Sequence, residues 1–74
     1  MMNKEDFLKE LQEMMMLDNP LTEAVELSSL SEYDSMTHLT LLALFEDDLG
    51  KKIEIEDLVK QKTVGDLVKL GGLK

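Results

Sequence analysis

The chain has no cysteine, which excludes disulfide bonds and metal sites built from thiolates. It is also poor in basic residues: 8 lysines and arginines stand against 16 aspartates and glutamates, a net charge of −8. Because binding to nucleic-acid phosphates needs the opposite sign, no nucleic-acid partner is expected. Proteins with basic surfaces are the expected partners, since electrostatic attraction speeds their encounter with an acidic chain.

Long apolar runs are absent as well. No stretch approaches the roughly 20 apolar residues that cross a bilayer, so no membrane insertion is expected. The first six residues lack a basic segment followed by an apolar one, so no signal peptide is expected there. The 74 residues are predicted to form one domain over 1–74, monomeric and cytoplasmic, with a limited core.

The longest helical pattern runs from Ser35 to Leu49, where apolar residues recur at steps of three and four. Asp34 is the predicted N-cap, since its carboxylate can accept a hydrogen bond from a free N–H group and suits the helix dipole. Gly50 follows Leu49 and is predicted to end this helix. A serine hydroxyl is thus expected at the start of this helix, between an aspartate and a methionine.

Two further helices carry capping-box signatures at their starts. In the first helix, Asn3 and Asp6 form the box, and Asp18-Asn19-Pro20 is predicted to end the helix. In the last helix, Thr63-Val64-Gly65-Asp66 forms the box, and Gly71-Gly72 ends the helix.

The connections are apolar enough to join the core. The long segment from residue 18 to residue 34 is expected to be pinned by Leu21, Val25, Leu27 and Leu30, with a helical turn within Thr22–Glu26. Ile53 and Ile55 are interpreted as core residues that lead into a short third helix over Glu56 to Lys60.

The predicted fold is all-α: a small four-helix bundle of three main helices and a short third helix, with a long first loop. Met14 to Met16 are interpreted as core packing plus one exposed methionine. The predicted interior collects one apolar face from each element: Phe7, Leu11, Leu39, Leu42, Phe45, Ile53, Val64, Leu67 and Val68.

Catalytic groups are few. His38 is the single histidine, and although it shares a helical face with Ser35, nothing in the sequence would orient its imidazole or supply an oxyanion hole. The chain is therefore not expected to be an enzyme, and His38 is interpreted as a surface residue. Glu46, Asp47 and Asp48 point in different directions on a helix, so no metal site is expected from them.

Asp-Ser at a helix start is by itself only a capping signal, but its context is more specific. The chain resembles the acyl carrier protein family in a leucine-bearing loop, an Asp-Ser-Met motif, an amphipathic helix with acidic residues at its end, a following isoleucine and a Thr-Val pair. The segments that carry the resemblance are Leu27–Leu30, Tyr33–Met36, Leu39, Leu42, Phe45–Glu46, Leu49–Gly50, Ile53 and Thr63–Val64.

The resemblance implies a covalent cofactor. A phosphopantetheinyl transferase would attach 4′-phosphopantetheine from coenzyme A to Ser35, and the thiol of that arm would hold acyl groups as thioesters. A phosphate on Ser35 also suits a helix N-terminus. The protein would present its cargo to a ligase, synthase or acyltransferase with a basic docking surface, in fatty acid, polyketide or specialised acyl transfer.

Departures from the family pattern leave the cargo open. Glu32-Tyr33 precede the motif where fatty-acid carriers commonly have a small residue, and the acidic residues of the helix come only at Glu46, Asp47 and Asp48. An aromatic residue before the motif, here Tyr33, and a histidine three residues after the serine, here His38, make the chain similar to small stand-alone carriers of specialised pathways. The Asp-Ser-Met motif also occurs in D-alanine carriers. An aminoacyl or peptidyl carrier loaded by an adenylating ligase is one alternative. A helical interaction module in which Ser35 only caps the helix is another.

Partner enzymes that act on the arm must touch the helix that starts at Ser35. The predicted docking residues form an apolar centre around Met36 with an acidic rim: Asp34, Met36, Thr37, Thr40, Leu41, Glu46 and Asp47, with Leu44 at the margin. In the alternative arrangement, Met36 and Leu41 turn inward and only the acidic residues are accessible.

Overall fold

The computed structural model describes residues 2–73. These residues form α1 (Lys4–Met14), α2 (Ser35–Asp47), α3 (Ile55–Val59) and α4 (Val64–Leu70), with a short 3-10 helix at Leu27–Ser29. Within this part of the chain there are four α-helices and no strand, which confirms the predicted all-α bundle with a short third helix and a long first loop.

The predicted helix starts are confirmed by their hydrogen bonds. The Asn3 side chain accepts from the Asp6 N–H at 2.8 Å, and the Thr63 hydroxyl accepts from the Asp66 N–H at 3.2 Å. The backbone N–H groups of Thr63 and Lys62 donate to the Asp66 carboxylate and lower its pKa. Each box therefore satisfies donors that a helix N-terminus would otherwise leave free.

Helix α1 ends earlier than predicted. Its last residue is Met14, and Met16 adopts a left-handed conformation with φ 55°. The Leu17 N–H donates to the Gln12 carbonyl at 3.1 Å, and the Met16 N–H donates to that of Glu13 at 3.0 Å. This is a Schellman motif with methionine in the place that glycine usually takes, so the helix closes before Asp18-Asn19-Pro20. Met16 is 88% exposed while Met15 is buried, as the cluster predicted.

The first loop is held by its apolar residues, as expected. Leu21 and Leu27 are buried, and Val25 and Leu30 pack against the core. The helical piece, however, lies at Leu27–Ser29 and not within 22–26. Residues 22–25 form a turn closed by a 3.3 Å bond from the Val25 N–H to the Thr22 carbonyl.

Main-chain bonds also join this loop to the start of α4. The Leu27 N–H donates to the Lys62 carbonyl at 2.8 Å, and the Val64 N–H donates to the Val25 carbonyl at 3.0 Å. They flank an isolated antiparallel bridge between Glu26 and Thr63. These contacts fix the loop that leads into α2 against the far end of the chain.

One core joins residues from all four helices and the first loop: Phe7, Leu11, Met15, Leu21, Leu27, Leu41, Leu44, Phe45, Leu58, Val64, Leu67 and Val68. Six of the predicted core residues are buried: Phe7, Leu11, Phe45, Val64, Leu67 and Val68. Leu42 and Ile53 are half-buried against this core. The assignment of Leu39 to the core is wrong, because its side chain is 58% exposed.

The error at Leu39 follows from the orientation of α2. Its buried stripe is Thr37, Leu41, Leu44 and Phe45, which are spaced as one helical face. Ile55, the first residue of α3, is also exposed, so its interpretation as a core residue is wrong as well. The predicted third helix is confirmed within one residue at each end. Gly50 lies in the left-handed region at φ 65°, three residues after α2 ends.

Candidate functional site

Ser35 is the first residue of α2 and is exposed. The side chain of Asp34 caps the helix by accepting a 3.1 Å hydrogen bond from the Thr37 N–H. The cap therefore uses the aspartate and not the serine. The Ser35 hydroxyl lies at the positive end of the helix, where an attached anion is favoured by the dipole and the free N–H groups.

Thr37 holds the start of α2 in place from its buried side. Its hydroxyl donates a 2.7 Å hydrogen bond to the Glu32 carbonyl, and the residue is 5% exposed. This bond ties the loop before Ser35 to the first turn of α2. The expectation that Thr37 is accessible to a partner is wrong, because its polar group faces its own chain.

Tyr33 fixes the same loop on the other side. Its hydroxyl donates to the Leu58 carbonyl at 2.9 Å, and burial raises the pKa of the phenol to about 12. The rings of Tyr33 and His38 meet edge to face, with centroids 4.5 Å apart. His38 is thus half-buried, not a free surface residue, and its Nε2 atom is buried with no hydrogen-bond partner among the described residues.

In the structure, some of the predicted docking residues are exposed and others are buried. Those that are exposed are Asp34, Met36, Thr40, Glu46 and Asp47. Leu41 is completely buried and Leu44 nearly so, because both lie on the face of α2 that packs into the core. The expectation that Leu41 lies in a docking surface is therefore wrong.

Three apolar residues that the sequence did not assign to the surface are exposed near this helix pair. Leu39 lies on α2, and Ile55 and Val59 lie one turn apart on α3, which packs against α2. With Met36, which is 77% exposed, we call these four residues the α2–α3 apolar surface. The i, i+3 spacing of Met36 and Leu39 and the i, i+4 spacing of Ile55 and Val59 are the signals that could have indicated it.

The acidic residues at the end of α2 lie beside α1. Asp47 and Asp48 line a groove with Asp6, Glu10 and Glu13 of α1. Across residues 2–73, no group of three acidic or histidine side chains is placed to hold a metal ion. Over the same residues, no helix is long and apolar enough to span a bilayer.

Comparison with known proteins adds one finding. A family model described as a phosphopantetheine attachment site matches residues 5–70, a region that takes in Ser35, the first loop and the last three helices in full. No curated protein and no solved structure matches the chain significantly.

Proposed function

Because this chain belongs to the family of phosphopantetheine attachment sites, we propose that it is a carrier protein whose 4′-phosphopantetheine is bound to Ser35. The observation that carries the assignment is the exposed hydroxyl of Ser35 at the start of α2, within the matched region. The alternative in which Ser35 only caps the helix loses its support, since Asp34 makes the capping bond.

The other serines of the first loop are poorer candidates. The Ser29 hydroxyl donates to the Glu26 carbonyl at 2.6 Å, and the Ser31 hydroxyl bonds the Glu32 carboxylate at 3.4 Å. Ser28 lies in a three-residue 3-10 helix, which lacks the dipole of a full α-helix. A phosphodiester at Ser35 gains an interaction of about 0.3–1 kcal/mol from that dipole.

The attachment reaction needs little from the carrier itself. A phosphopantetheinyl transferase would join the Ser35 oxygen to the phosphorus of the pantetheine phosphate of coenzyme A, and the adenosine bisphosphate portion would leave. The serine proton would pass to a base of the transferase. What this chain supplies is a hydroxyl held in place by the Thr37–Glu32 and Tyr33–Leu58 hydrogen bonds. The bound arm supplies a thiol that carries cargo as a thioester.

The cargo proposed is an acyl group, presented to enzymes of fatty acid, polyketide or specialised acyl transfer. An aminoacyl or peptidyl cargo, loaded by an adenylating ligase, is the second candidate. The second candidate is supported by the first turn of α2, which lacks the acidic residues that fatty-acid carriers commonly have there, and by the resemblance of Asp34-Ser35-Met36 to the motif of D-alanine carriers. The proposed compartment is the cytoplasm, where coenzyme A and a transferase are available together, and the proposed state is a monomer.

Partners would dock on the α2–α3 apolar surface. Acidic residues border it on both helices, with Asp34 before Met36 and Glu54 and Glu56 around Ile55. A partner with an apolar centre and lysines or arginines around it would match this arrangement. The transferase and the enzyme that loads the arm are the proposed partners.

Intact mass measures the attachment directly. After incubation with coenzyme A and a transferase of broad specificity, the wild-type chain should gain the mass of the arm. Ser35→Ala should gain nothing while keeping the helical circular dichroism, and Ser31→Ala, a matched control in the first loop, should be modified like the wild type. If Ser35→Ala still gained the arm, the assignment of Ser35 would be wrong. Loading the modified chain with acyl or aminoacyl groups by candidate ligases would then separate the two cargo classes.

A further inference from the structure

The single buried side-chain nitrogen or oxygen that lacks a hydrogen-bond partner in residues 2–73 is Nε2 of His38. Buried polar atoms are nearly always paired in folded proteins, so an unpaired one calls for a ligand or a functional explanation. His38 follows Ser35 by three residues, and residues at that spacing share a helical face. His38 thus lies on the same face of α2 as Ser35.

His38 also lines a surface groove. The groove runs between the first loop, α2 and α3, and its apolar walls come from Leu27, Leu30 and Val59, with the ring of Tyr33 beside His38. It holds about 410 Å³, within the range of small-molecule sites. The Tyr33 hydroxyl donates to the Leu58 carbonyl and makes no hydrogen bond with the imidazole.

The chemistry of the groove selects among possible occupants. A neutral imidazole has an N–H on one ring nitrogen and a lone pair on the other, so Nε2 can pair with either half of an amide. A plain alkyl chain could fill the apolar walls but would leave Nε2 unpaired. The pantetheine arm contains two amides, and an arm fixed to Ser35 is held close to the groove, so a weak contact is enough to seat it.

We propose that His38 is a positioning residue for the arm: Nε2 pairs with an amide of the pantetheine when the arm lies in this groove. The inference rests on the proposed attachment to Ser35. Since Nε2 is buried, the imidazole ring must turn toward the groove before an amide of the arm can reach this nitrogen. Val59 belongs both to the groove and to the α2–α3 apolar surface, so a docked partner would cover part of the groove and favour release of the arm.

Nuclear magnetic resonance can test this, because the chain has one histidine and therefore one set of imidazole signals. The protein is modified with nitrogen-15-labelled coenzyme A, and complete attachment is verified by intact mass. We expect the His38 Nε2 signal to shift on attachment. We also expect hydrogen exchange of one arm amide to be slower by roughly twofold to tenfold than in free pantetheine, the protection that one hydrogen bond usually gives.

Variants separate the imidazole from the groove. His38→Phe keeps an aromatic ring against Tyr33 but removes the polar atom, and it should return the arm amide to the free exchange rate. His38→Gln retains a hydrogen-bonding group and should keep part of the protection. Ala43→Ser, an exposed change on α2 two turns after Ser35, should behave like the wild type.

The experiment distinguishes failure of this inference from failure of the proposed function. A chain that gains no arm would overturn the attachment and this inference together. A modified chain in which neither the His38 ring nor any arm amide changes would overturn this inference alone. Protection that persists in His38→Phe would also overturn it, since the walls of the groove and not Nε2 would then hold the arm.

Discussion

The hydroxyl of Tyr33 donates a 2.9 Å hydrogen bond to the main-chain carbonyl of Leu58, 25 positions further along the chain. This bond links the loop two residues before Ser35 to the body of α3. Thr37 ties the same loop to α2 through the Glu32 carbonyl. The segment that carries Ser35 is therefore held against both helices that border the proposed docking surface, and its position depends on contacts distant in sequence.

The titration of Tyr33 should report this packing. Burial raises the pKa of Tyr33 to about 12 in the folded chain, against about 10 for an unperturbed tyrosine. The folded state then holds its proton more tightly than the unfolded state. The resulting stability is complete below pH 10 and is lost as pH rises through about 12.

The chain has one tyrosine, so its phenolate absorbance gives the titration directly. The native protein should form phenolate near pH 12, and the urea-unfolded protein should do so near pH ~10. Tyr33→Phe, which has no phenol group, gives the background absorbance. If the native chain titrated together with the unfolded one, the Tyr33 ring would be in water and the bond to Leu58 would not be formed.

Two leucines of α2 should differ sharply in their contribution to stability. Leu41→Ala removes a completely buried side chain, and we expect a loss of about 2–5 kcal/mol in the free energy of unfolding. Leu39→Ala, the same change at an exposed site of the same helix, should stay within about 0.5 kcal/mol. Urea denaturation followed by circular dichroism measures both. A larger loss for Leu39 would mean that α2 is rotated from the orientation described above.

The same pair of residues shows what the sequence could and could not predict. The helix starts at Asn3, Asp34 and Thr63 were predictable because a cap depends on residues within one turn. The face of α2 was not, because apolar residues occur on most of its sides and tertiary packing selects the buried one. Thr37 occupies that face, and its burial depends on a bond to the Glu32 carbonyl that no local pattern indicates.

For the candidate site, the sequence was informative at Ser35 and less so around it. The motif and its flanking pattern indicated a carrier, and the matching family model agrees. The bonds that join the first loop to α4 are main-chain contacts between segments about 40 positions apart, so side-chain patterns carry little trace of them. The unpaired nitrogen of His38 is likewise a property of three-dimensional packing.

Salt should stabilise the fold. The net charge is −8, and within residues 2–73 one ion pair is formed, between Lys4 and Glu23 at 3.1 Å. Among these residues, most acidic side chains therefore repel one another without a lysine paired to them. At 0.15 M ionic strength the Debye length falls to about 8 Å, which screens exposed charges beyond that distance.

We expect the melting temperature to rise with sodium chloride, and more steeply with a divalent cation. A gain of about 1 kcal/mol would correspond to roughly 4–8 °C for a domain of this size. Asp47→Asn with Asp48→Asn removes two charges from the groove shared with α1 and should flatten the response. A melting temperature that does not change with salt in the wild-type chain would contradict the picture of unscreened repulsion.

The last prediction concerns docking of the transferase, measured as kcat/KM for attachment of the arm at several salt concentrations. Met36→Ala removes an exposed apolar side chain next to Ser35 and should lower kcat/KM about fivefold or more at every salt concentration, as expected for a contact worth about 1 kcal/mol. Glu56→Lys reverses an exposed charge on the acidic border of the α2–α3 apolar surface and should reduce kcat/KM most at low salt.

Met16→Ala is the matched control, because Met16 is even more exposed than Met36 but follows the end of α1, away from Ser35 in the chain. It should leave kcat/KM unchanged. The salt dependence distinguishes the two kinds of contact, since screening weakens charge attraction while burial of Met36 in a partner is insensitive to it. If Met36→Ala had no effect and the lysine variant lost activity equally at all salt concentrations, a docking surface with an apolar centre and an electrostatic rim would be ruled out.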